Sequence, residues 1–364
     1  MSDMLQVSLI LPTRNEAGNI AEAIERAQSA LSGLSFEVIV VDDDSPDGTA
    51  DIVRSIAAKD ARIRVIQRIG RRGLASACIE GALCAAGQVV AIMDADLQHD
   101  ETVLPKLIKP VLEGRADLAV GTRYAQGGGT ADWSAKREAQ SEWATRLAQR
   151  FIKAPLSDPM SGFFAIGADR FRELVPHLSG RGFKILLDIV FSSRDRLRLH
   201  EEPFVFRGRE AGESKLDAPT ALQYLMMIYD RLMGHIVPAR FALFAIVGGA
   251  GVFIHMAILA GLFQVAGVNF IISQSVAVIA AMTFNFLLNN MLTFHDVRLK
   301  GWGLLKGWLS FCLVCGLGAI ANVGVASYLF SETGVIWTLS ALAGILVGAV
   351  WNYVMSSRFT WGQL

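Results

Sequence analysis

The chain has 364 residues, of which 52% are hydrophobic and 19% charged, and its formal net charge is +0. This hydrophobic share is too high for an ordinary cytosolic enzyme, so part of the chain is expected to lie in lipid. The charges are also unevenly placed, because only six Lys, Arg, Asp or Glu residues follow Arg240. The sequence therefore predicts two domains, a charged first one and a membrane-embedded second one. No nucleic-acid partner is expected.

The first half alternates short β-rich runs with longer amphipathic segments such as 17–31. The runs are VSLILP (7–12), EVIVVDD (37–43), IRVIQR (63–68), VVAIMDAD (89–96) and LAVGTR (118–123). Such alternation predicts parallel strands joined by crossover helices. The apolar run at 38–41 is typical of a strand that is covered on both faces. The fold class is therefore α/β, with the ligand expected beyond the carboxyl ends of the strands.

Three of these strands end in polar residues, at 12–16, 42–45 and 94–98. In the third, Asp94 and Asp96 would repel each other unless a cation lay between them. Carboxylate and amide oxygens suit Mg²⁺ or Mn²⁺, so these two residues and Gln98 form a partial ligand set that diphosphate oxygens and water would complete. A D-x-D pair alone is weak evidence, since a solvated loop after a strand gives the same pattern.

Six motifs in a fixed order give this half a family resemblance. They are LPTRNE (11–16), VVDDDSPDGT (40–49), DADLQH (94–99), GTRY (121–124), DPMSGFF (158–164) and R-x-x-G-x-S-K (209–215). Through them residues 1–217 resemble glycosyltransferase family 2, in its dolichol-phosphate (polyprenyl-phosphate) mannosyltransferase branch. The resemblance implies a GT-A fold, which is a Rossmann-like nucleotide-diphospho-sugar transferase domain, together with an inverting transfer and a divalent metal.

The resemblance also implies roles for individual positions. Base and ribose contacts fall on Pro12, Arg14, Glu16, Val41 and Asp43. The wider nucleotide-sugar site adds Asp94, Ala95, Asp96, Arg209 and Lys215. The metal ligands are Asp94, Asp96 and Gln98, and the catalytic positions are Asp96, Arg123, Arg137 and Ser141. The family usually has Tyr where Arg14 stands and often Asn where Asp44 stands. We interpret Asp43 as the base-reading carboxylate, and Asp42 and Asp44 as structural or solvated.

A basic set lies between the donor motifs and the membrane half, and in the similar enzymes it binds the acceptor phosphate and the donor diphosphate. Its members are Arg123, Arg137, Arg209 and Lys215, with Ser141 beside them. Arg presents a planar fork suited to phosphate, whereas Lys acts as a point charge. A phosphate acceptor is already anionic near neutral pH and needs no strong general base, so His99 is interpreted as a neighbour that packs or orients Gln98. Arg71, Arg72 and Arg207 hold no motif position and are interpreted as solvated surface charges.

Two further segments precede the membrane half. The glycines at 127–129 predict either a mobile lid over the substrates or an ordinary flexible connection. Residues 219–236 place apolar side chains at helical spacing. We interpret them as an interfacial helix within a linker, 218–237, rather than as a packed soluble helix, because the first membrane span follows directly.

The second half contains long stretches without any Lys, Arg, Asp or Glu. They are 241–295, 307–331 and 333–357. A spanning helix needs about 20 apolar residues, and the first stretch is long enough for two. We therefore predict four transmembrane helices, at about 241–263, 270–292, 307–330 and 335–356.

The orientation of these spans follows from the charges at their ends. The positive residues are Arg240, Arg298, Lys300, Lys306 and Arg358. All of them fall on one side of the membrane if there are four spans, and the Lys and Arg of short loops stay in the cytosol. The apolar run at 7–11 is also too short for a signal peptide. The catalytic domain and both termini are therefore expected on the cytosolic side of the inner or plasma membrane.

The membrane half repeats itself with an offset of 67 residues. The matched pairs are Phe244 and Phe311, Gly249 and Gly316, Gly251 and Gly318, Asn285 and Asn352, and Phe294 and Trp361. Two tandem two-helix units explain this pattern. Residues 238–364 resemble the GtrA-like family, which accompanies polyprenyl-phosphate glycosyltransferases. We assign this domain an anchoring role, and the oligomeric state, including a homo-oligomer, stays open.

The resemblance implies transfer of a hexose, with mannose from GDP-mannose favoured, to polyprenyl or dolichyl phosphate at the cytosolic membrane face. The product would be a lipid-linked sugar for downstream glycosylation. The alternatives are a UDP-glucose-dependent polyprenyl-phosphate glucosyltransferase and a lipid-linked sugar translocase that only binds the donor. A processive polysaccharide synthase shares the setting but carries a Q-x-x-R-W motif, which this sequence lacks. Acceptor chain length and the choice between Mg²⁺ and Mn²⁺ stay open.

Overall fold

The chain folds into two compact units, Met1–Tyr224 and Leu225–Leu364. The computed structural model describes residues 4–130, 145–150, 152, 155–180, 184–193, 197–207, 225–226, 228–230, 233–234 and 236–362. Most of the interfacial helix predicted at 219–236 lies outside these residues, so it stays a prediction.

The first unit is built on a seven-stranded sheet in the order β3-β2-β1-β4-β7-β5-β8. Its strands are β1 (Val7–Thr13), β2 (Phe36–Asp42), β3 (Ile63–Gln67), β4 (Val89–Ile92), β5 (Leu118–Thr122), β7 (Phe164–Gly167) and β8 (Leu199–Pro203). All neighbours pair in parallel except β7, which is antiparallel to both β4 and β5. The five predicted strands are confirmed as β1 to β5. A short ribbon pairs β6 (Gly129–Thr130) with β9 (Val205–Phe206).

Helices connect these strands and cover the sheet's apolar residues. They are α1 (Ile20–Ala30), α2 (Thr49–Ala57), α3 (Leu74–Leu83), α4 (Leu104–Leu112), α5 (Ala168–Leu174) and α6 (Ile185–Ser192), and residues 145–150 are also helical. Helix α1 shows why the amphipathic segment at 17–31 folds this way. Its buried residues are Ile20, Ala23, Ile24 and Ala27, which lie on one face at helical spacing. Every residue of β1 and β2 is buried, as expected for a sheet covered on both faces.

The sequence predicted neither β7 nor β8. Of these two strands, β7 bears on the site. Its first residue, Phe164, lies opposite Ile92 of β4 and Val120 of β5. Because β7 is antiparallel, its beginning lies at the edge where its two neighbours end. The loop at 158–163, which precedes β7, is thereby brought to the carboxyl edge of the sheet.

The second unit is helical. Its long helices are α7 (Ala239–Ala260), α8 (Phe270–Met291), α9 (Trp302–Ser331) and α10 (Trp337–Met355). Among the described residues three segments are long and apolar enough to cross a bilayer, namely Ala239–Val265, Phe270–Met291 and Trp302–Ser331. The fourth predicted span coincides with α10, and its crossing stays a prediction. Helix α9 begins at Trp302, five residues earlier than the predicted span, because that prediction started at the uncharged stretch after Lys306 whereas the helix also includes this lysine.

The predicted repeat is visible in the packing of aromatic residues. One buried cluster contains Phe244, Phe286, Phe294, Phe311 and Trp361. Phe294 and Trp361, which the repeat relates to each other, stack with ring centroids 4.1 Å apart and planes at 10°. Trp361 also donates its indole N–H to Asn290 Oδ1 at 3.1 Å. The ends of the two hairpins are therefore joined through equivalent residues.

A second equivalent contact lies inside each hairpin. A Cβ atom added to Gly251 would lie 2.3 Å from Asn285 Oδ1, and one added to Gly318 would lie 2.0 Å from Asn352 Oδ1. Each asparagine thus occupies space that only a glycine on the preceding helix leaves. This agrees with the expectation that small residues allow close helix contacts within a membrane.

Candidate active site at the carboxyl edge of the sheet

The loop after β1 is held by the loop after β2. Three successive backbone N–H groups of the first loop donate to side chains of the second. The pairs are Asn15 to Ser45 Oγ (2.9 Å), Glu16 to Thr49 Oγ1 (3.0 Å) and Ala17 to Asp47 Oδ2 (3.0 Å). Partial burial alone would raise the pKa of Asp47, but the hydrogen bonds from Thr49 and Ala17 lower it. The S-P-D-G-T part of the second motif therefore fixes the loop that carries Arg14 and Glu16.

Predicted base and ribose contacts lie side by side at this edge. Pro12 and Val41 are register partners on β1 and β2, and both are buried. Arg14 and Glu16 follow in the loop and are partly exposed. Glu16 accepts a hydrogen bond from Asn19 Nδ2 at 2.8 Å. The structure thus brings these four predicted positions to one region, whereas their contacts with a nucleotide stay a prediction.

The three consecutive carboxylates at the end of β2 differ in their partners. Asp42 is buried and accepts from the backbone N–H (3.0 Å) and the hydroxyl (2.5 Å) of Ser45, which fits its predicted structural role. Asp43 accepts from Arg68 Nη1 at 2.7 Å and from the Gly73 N–H at 2.7 Å. Asp44 accepts from the Gly70 N–H at 3.2 Å.

Buried Arg68 is a site residue that the sequence did not reveal. Its side chain is only 3% exposed, and it also donates to Ser76 Oγ at 2.6 Å and approaches Glu80 at 3.2 Å. Arg68 follows β3, 25 residues after Asp43, so no local spacing links the two. The pair holds the predicted base-reading carboxylate in one orientation.

The loop after β4 carries the predicted metal ligands. Asp94 and Asp96 are partly exposed, whereas Ala95 and Gln98 are buried. Leu97 between them has φ +62°, a conformation that costs free energy for a residue with a branched side chain and is often found at functional sites.

Hydrogen bonds set the orientation of Gln98. Its Nε2 donates to the Arg207 carbonyl at 3.1 Å, and the Arg207 N–H donates to the Gln98 carbonyl at 2.9 Å. The amide oxygen is then the atom of this side chain that can act as an acceptor. Arg207 itself pairs with Glu101 at 2.8 Å and Asp100 at 3.1 Å. The interpretation of Arg207 as a solvated charge was therefore wrong, because this arginine links the metal loop to the chain after β9.

His99 packs beneath the metal loop, as predicted. Its ring stacks on Phe163 with centroids 5.1 Å apart and meets Phe206 edge-on. Burial among these rings lowers the pKa of His99 to about 4, so the neutral form can accept from the Asp94 N–H at 3.3 Å. The histidine thus supports the backbone of a predicted metal ligand.

The loop at 158–163 contacts both Arg123, after β5, and Asp94, after β4. Asp158 is fully buried and receives two hydrogen bonds from Arg123, from Nε at 2.7 Å and from Nη2 at 2.9 Å. Burial alone would lower the pKa of Arg123, but the hydrogen bonds with Asp158 raise it. Gly162 leaves space for the Asp94 carboxylate, because an added Cβ would lie 2.8 Å from Asp94 Oδ2. The DPMSGFF motif (158–164) therefore joins the positions of Arg123 and Asp94.

The chemistry of these residues fits a divalent cation. Two carboxylates and one amide oxygen follow one strand, and the glycine against Asp94 preserves room for the carboxylate. Within the described residues no group of three or more His, Cys, Asp or Glu side chains could hold a metal by itself. Oxygen atoms from a diphosphate would be needed to complete such a site.

Four predicted site residues lie outside the described part of the chain. They are Arg137, Ser141, Arg209 and Lys215. The glycines at 127–129 are described, and Gly129 begins β6. A role for that segment as a lid stays a prediction.

Two protein families match this chain. Residues 8–175 match glycosyl transferase family 2, and residues 243–361 match the GtrA/DPMS transmembrane domain. The predicted GT-A fold of the first unit and the helical membrane domain of the second are thereby confirmed.

Relatives with an assigned activity share much of the sequence. A dolichol-phosphate mannosyltransferase of Pyrococcus furiosus is 36% identical over 364 residues, which cover 98% of this chain and 99% of the relative. The Saccharomyces cerevisiae dolichol-phosphate mannosyltransferase is 36% identical over 235 residues, which cover 62% of this chain and 86% of that protein. A solved structure of glucosyl-3-phosphoglycerate synthase from Mycobacterium tuberculosis is 22% identical, with a TM-score of 0.47 and coverage of 63% of this chain and 79% of that chain. The chain belongs to the dolichol-phosphate mannosyltransferase family within glycosyltransferase family 2 and carries a GtrA/DPMS transmembrane domain.

Proposed function

We propose that this glycosyltransferase moves mannose from GDP-mannose to a polyprenyl or dolichyl phosphate, with inversion at the sugar carbon and with a divalent cation. The observation that carries the proposal is the wall formed by Asp94, Gly162 and the Arg123–Asp158 pair at the carboxyl edge of the sheet. It sets carboxylates suited to a metal beside a cation suited to phosphate. The names of the relatives support mannose as the sugar and a lipid phosphate as the acceptor.

The donor would lie along the ends of β1, β2 and β4. Pro12 and Val41 form an apolar floor at this edge, and Asp43, oriented by Arg68, is the acceptor for the base. Asp94, Asp96 and the Gln98 amide oxygen would hold Mg²⁺ or Mn²⁺. Such a cation would neutralise the charge that develops on the departing nucleoside diphosphate.

The acceptor phosphate would approach the sugar from the face opposite the leaving group. A phosphate oxygen forms the new bond to the anomeric carbon, and the electron pair of the broken carbon–oxygen bond departs with the diphosphate. This oxygen is already anionic near neutral pH, so a side-chain base is not required. His99, buried and neutral, serves packing instead. Arg123, held by Asp158, would orient the phosphate.

The second unit would keep the enzyme at the lipid acceptor. Its long apolar helices support a membrane protein. We propose that the catalytic unit and both termini face the cytosol, since the Lys and Arg between and beside the spans would then lie on that side. Labelling of single cysteines placed next to Lys300 and Glu332 tests this orientation, because only the first is expected to react from the cytosolic side.

A transfer assay tests the proposed reaction directly. Purified protein in detergent is given a short polyprenyl phosphate and a panel of labelled nucleotide-sugars, with and without a chelator. We expect a mannosylated lipid from GDP-mannose, and loss of product when the divalent cation is removed. A preference for UDP-glucose would overturn the sugar assignment. Donor binding without any lipid product would instead favour a translocase.

A further inference from the structure

Three non-glycine residues in the described part of the chain have a positive φ, and all three lie at the carboxyl edge of the sheet. They are Asn15 after β1 (58°), Asp44 after β2 (55°) and Leu97 after β4 (62°). Asn and Asp adopt this left-handed conformation at little cost because their short polar side chains can hydrogen-bond locally, whereas other side chains rarely adopt it. Leu97 is therefore the exception among the three, and its conformation needs a local cause.

Burial of the Leu97 side chain supplies part of that cause. This side chain is 7% exposed and belongs to the main apolar cluster of the catalytic unit. A glycine or an asparagine would adopt the positive φ more easily but would leave apolar space in that cluster unfilled. The buried leucine thus attaches the loop after β4 to the core at the residue where the chain turns.

The turn at Leu97 brings its two neighbours together. The Gln98 N–H donates to Asp96 Oδ1 at 3.2 Å, which is an Asx turn, where an Asp side chain takes the place of a backbone carbonyl. An extended chain advances by about 3.3 Å per residue, so an extended Leu97 would carry the Gln98 N–H away from this carboxylate. The Gln98 side chain is held in addition by the Arg207 carbonyl. Two of the three predicted metal ligands are therefore arranged by the residue between them.

We propose that Leu97 is a positioning residue for the divalent cation, because its left-handed turn holds the Asp96 carboxylate and the Gln98 amide oxygen where one ion can bind both. This inference rests on the proposed function and deepens it, since it assigns the arrangement of the metal ligands to a residue that does not itself bind the metal. A cation that had to bend the chain before binding would lose affinity, and a turn that is already formed avoids this cost.

The test separates the backbone conformation of residue 97 from the burial of its side chain. Leu97→Ile keeps an apolar side chain of similar volume, but its β-branch disfavours a positive φ. Leu97→Asn favours the turn and removes the apolar contact, whereas Leu97→Met is unbranched at Cβ and keeps the contact. Binding of Mn²⁺ in saturating GDP is measured by electron paramagnetic resonance of the free ion, and thermal denaturation is followed in parallel.

We expect the metal affinity to follow the backbone conformation and the stability to follow burial. Leu97→Ile should weaken Mn²⁺ binding by about tenfold or more, which corresponds to the cost of a disfavoured backbone conformation. Leu97→Met and Leu97→Asn should stay within about threefold of the wild type, while Leu97→Asn alone among these lowers the unfolding midpoint strongly. Wild-type affinity in folded Leu97→Ile, or an equal loss of affinity in Leu97→Asn and Leu97→Ile, would overturn the inference.

Two further comparisons guard against a loss of structure. Leu104→Ile makes the same replacement at a fully buried residue of the same cluster, with an ordinary φ of −47°, and should leave the Mn²⁺ affinity unchanged. If Leu97→Ile does not fold, Leu97→Ala and Leu97→Asn replace it as a pair, because both lack the large apolar side chain and only Asn favours a positive φ. Leu97→Asn should then bind Mn²⁺ more tightly than Leu97→Ala, and equal affinities would overturn the inference.

Failure of the proposed function gives a different result. Normal Mn²⁺ binding without transfer to the lipid would refute the proposed reaction and leave the role of Leu97 intact. Binding of Mn²⁺ with UDP but not with GDP would refute the GDP-mannose assignment alone, and the same variants are then compared with UDP. A wild-type protein that binds Mn²⁺ with neither nucleotide would overturn both the metal site and the inference.

Discussion

The catalytic unit and the membrane unit share one kind of contact, in which a glycine leaves space that a polar side chain fills. In the catalytic unit Gly162 faces the Asp94 carboxylate, a charged group at the carboxyl edge of the sheet. In the membrane unit Gly251 and Gly318 face the neutral amides of Asn285 and Asn352.

The surroundings of the two contacts differ in charge and in repetition. The catalytic contact occurs at one place and adjoins the buried ion pair of Arg123 and Asp158. The amide contact occurs once in each hairpin, and both amide oxygens are buried without a hydrogen-bond partner among the described residues. We infer that the first contact positions a predicted metal ligand, whereas the second allows helices to approach closely. Substitutions in the two units should therefore separate activity from stability.

The largest expected effect comes from breaking the buried ion pair. Asp158→Asn removes the charged partner that is bonded to the buried guanidinium of Arg123, which should lower the free energy of unfolding of the catalytic unit by about 3–5 kcal/mol. Chemical denaturation followed by circular dichroism measures the loss. The double variant Asp158→Asn/Arg123→Met should regain part of this stability but no activity. Equal stability of the single variant and the wild type would show that the pair is not a structural support.

Next in size is the effect of removing a metal ligand. Asp96→Ala should reduce sugar transfer by at least about 100-fold, because the leaving diphosphate loses its charge neutralisation. Initial rates at saturating substrates give the comparison, with Asp169→Ala as the control because Asp169 is 95% exposed. Normal transfer by folded Asp96→Ala would contradict the proposed chemistry.

Much of this site could be predicted from local patterns, and the remainder depends on distant contacts. Apolar runs predict strands β1 to β5, and the polar residues at the ends of β1, β2 and β4 indicate the carboxyl edge. Strand β7 has only four residues, and its place between β4 and β5 depends on antiparallel pairing that no local period signals. The same holds for Arg68, whose partner Asp43 lies 25 residues away.

The membrane unit was more predictable because its signals are local or periodic. Uncharged stretches gave the helix positions to within a few residues, and the offset of 67 residues identified which side chains are equivalent. The repeat could not show that Phe294 and Trp361 stack on each other, since two equivalent residues meet only where the hairpins join.

A smaller effect is expected at the glycine of the catalytic unit. In Gly162→Ala the new methyl group must displace the Asp94 carboxylate or the loop, so transfer should fall by about tenfold while the unfolding midpoint changes little. The matched control is Gly33→Ala, where an added Cβ meets nothing within 4 Å. Rates measured across metal concentrations should show a higher metal requirement for Gly162→Ala alone. An unchanged requirement would mean that Gly162 does not position Asp94.

The repeated glycines of the membrane unit provide the last test, and the repeat supplies its own controls. Gly251→Ala and Gly318→Ala force the facing amides to move, and overpacking of this kind costs about 1–3 kcal/mol. Gly249→Ala and Gly316→Ala, the neighbouring equivalent pair, meet nothing within 4 Å and should be neutral or slightly stabilising, since Ala favours helix over Gly. Thermal unfolding in detergent should separate the two pairs, while transfer per folded molecule stays within about twofold of wild type in all four. If Gly318→Ala instead abolished transfer in a stable protein, the membrane unit would contribute to the reaction itself, and the division between chemistry in one unit and packing in the other would be wrong.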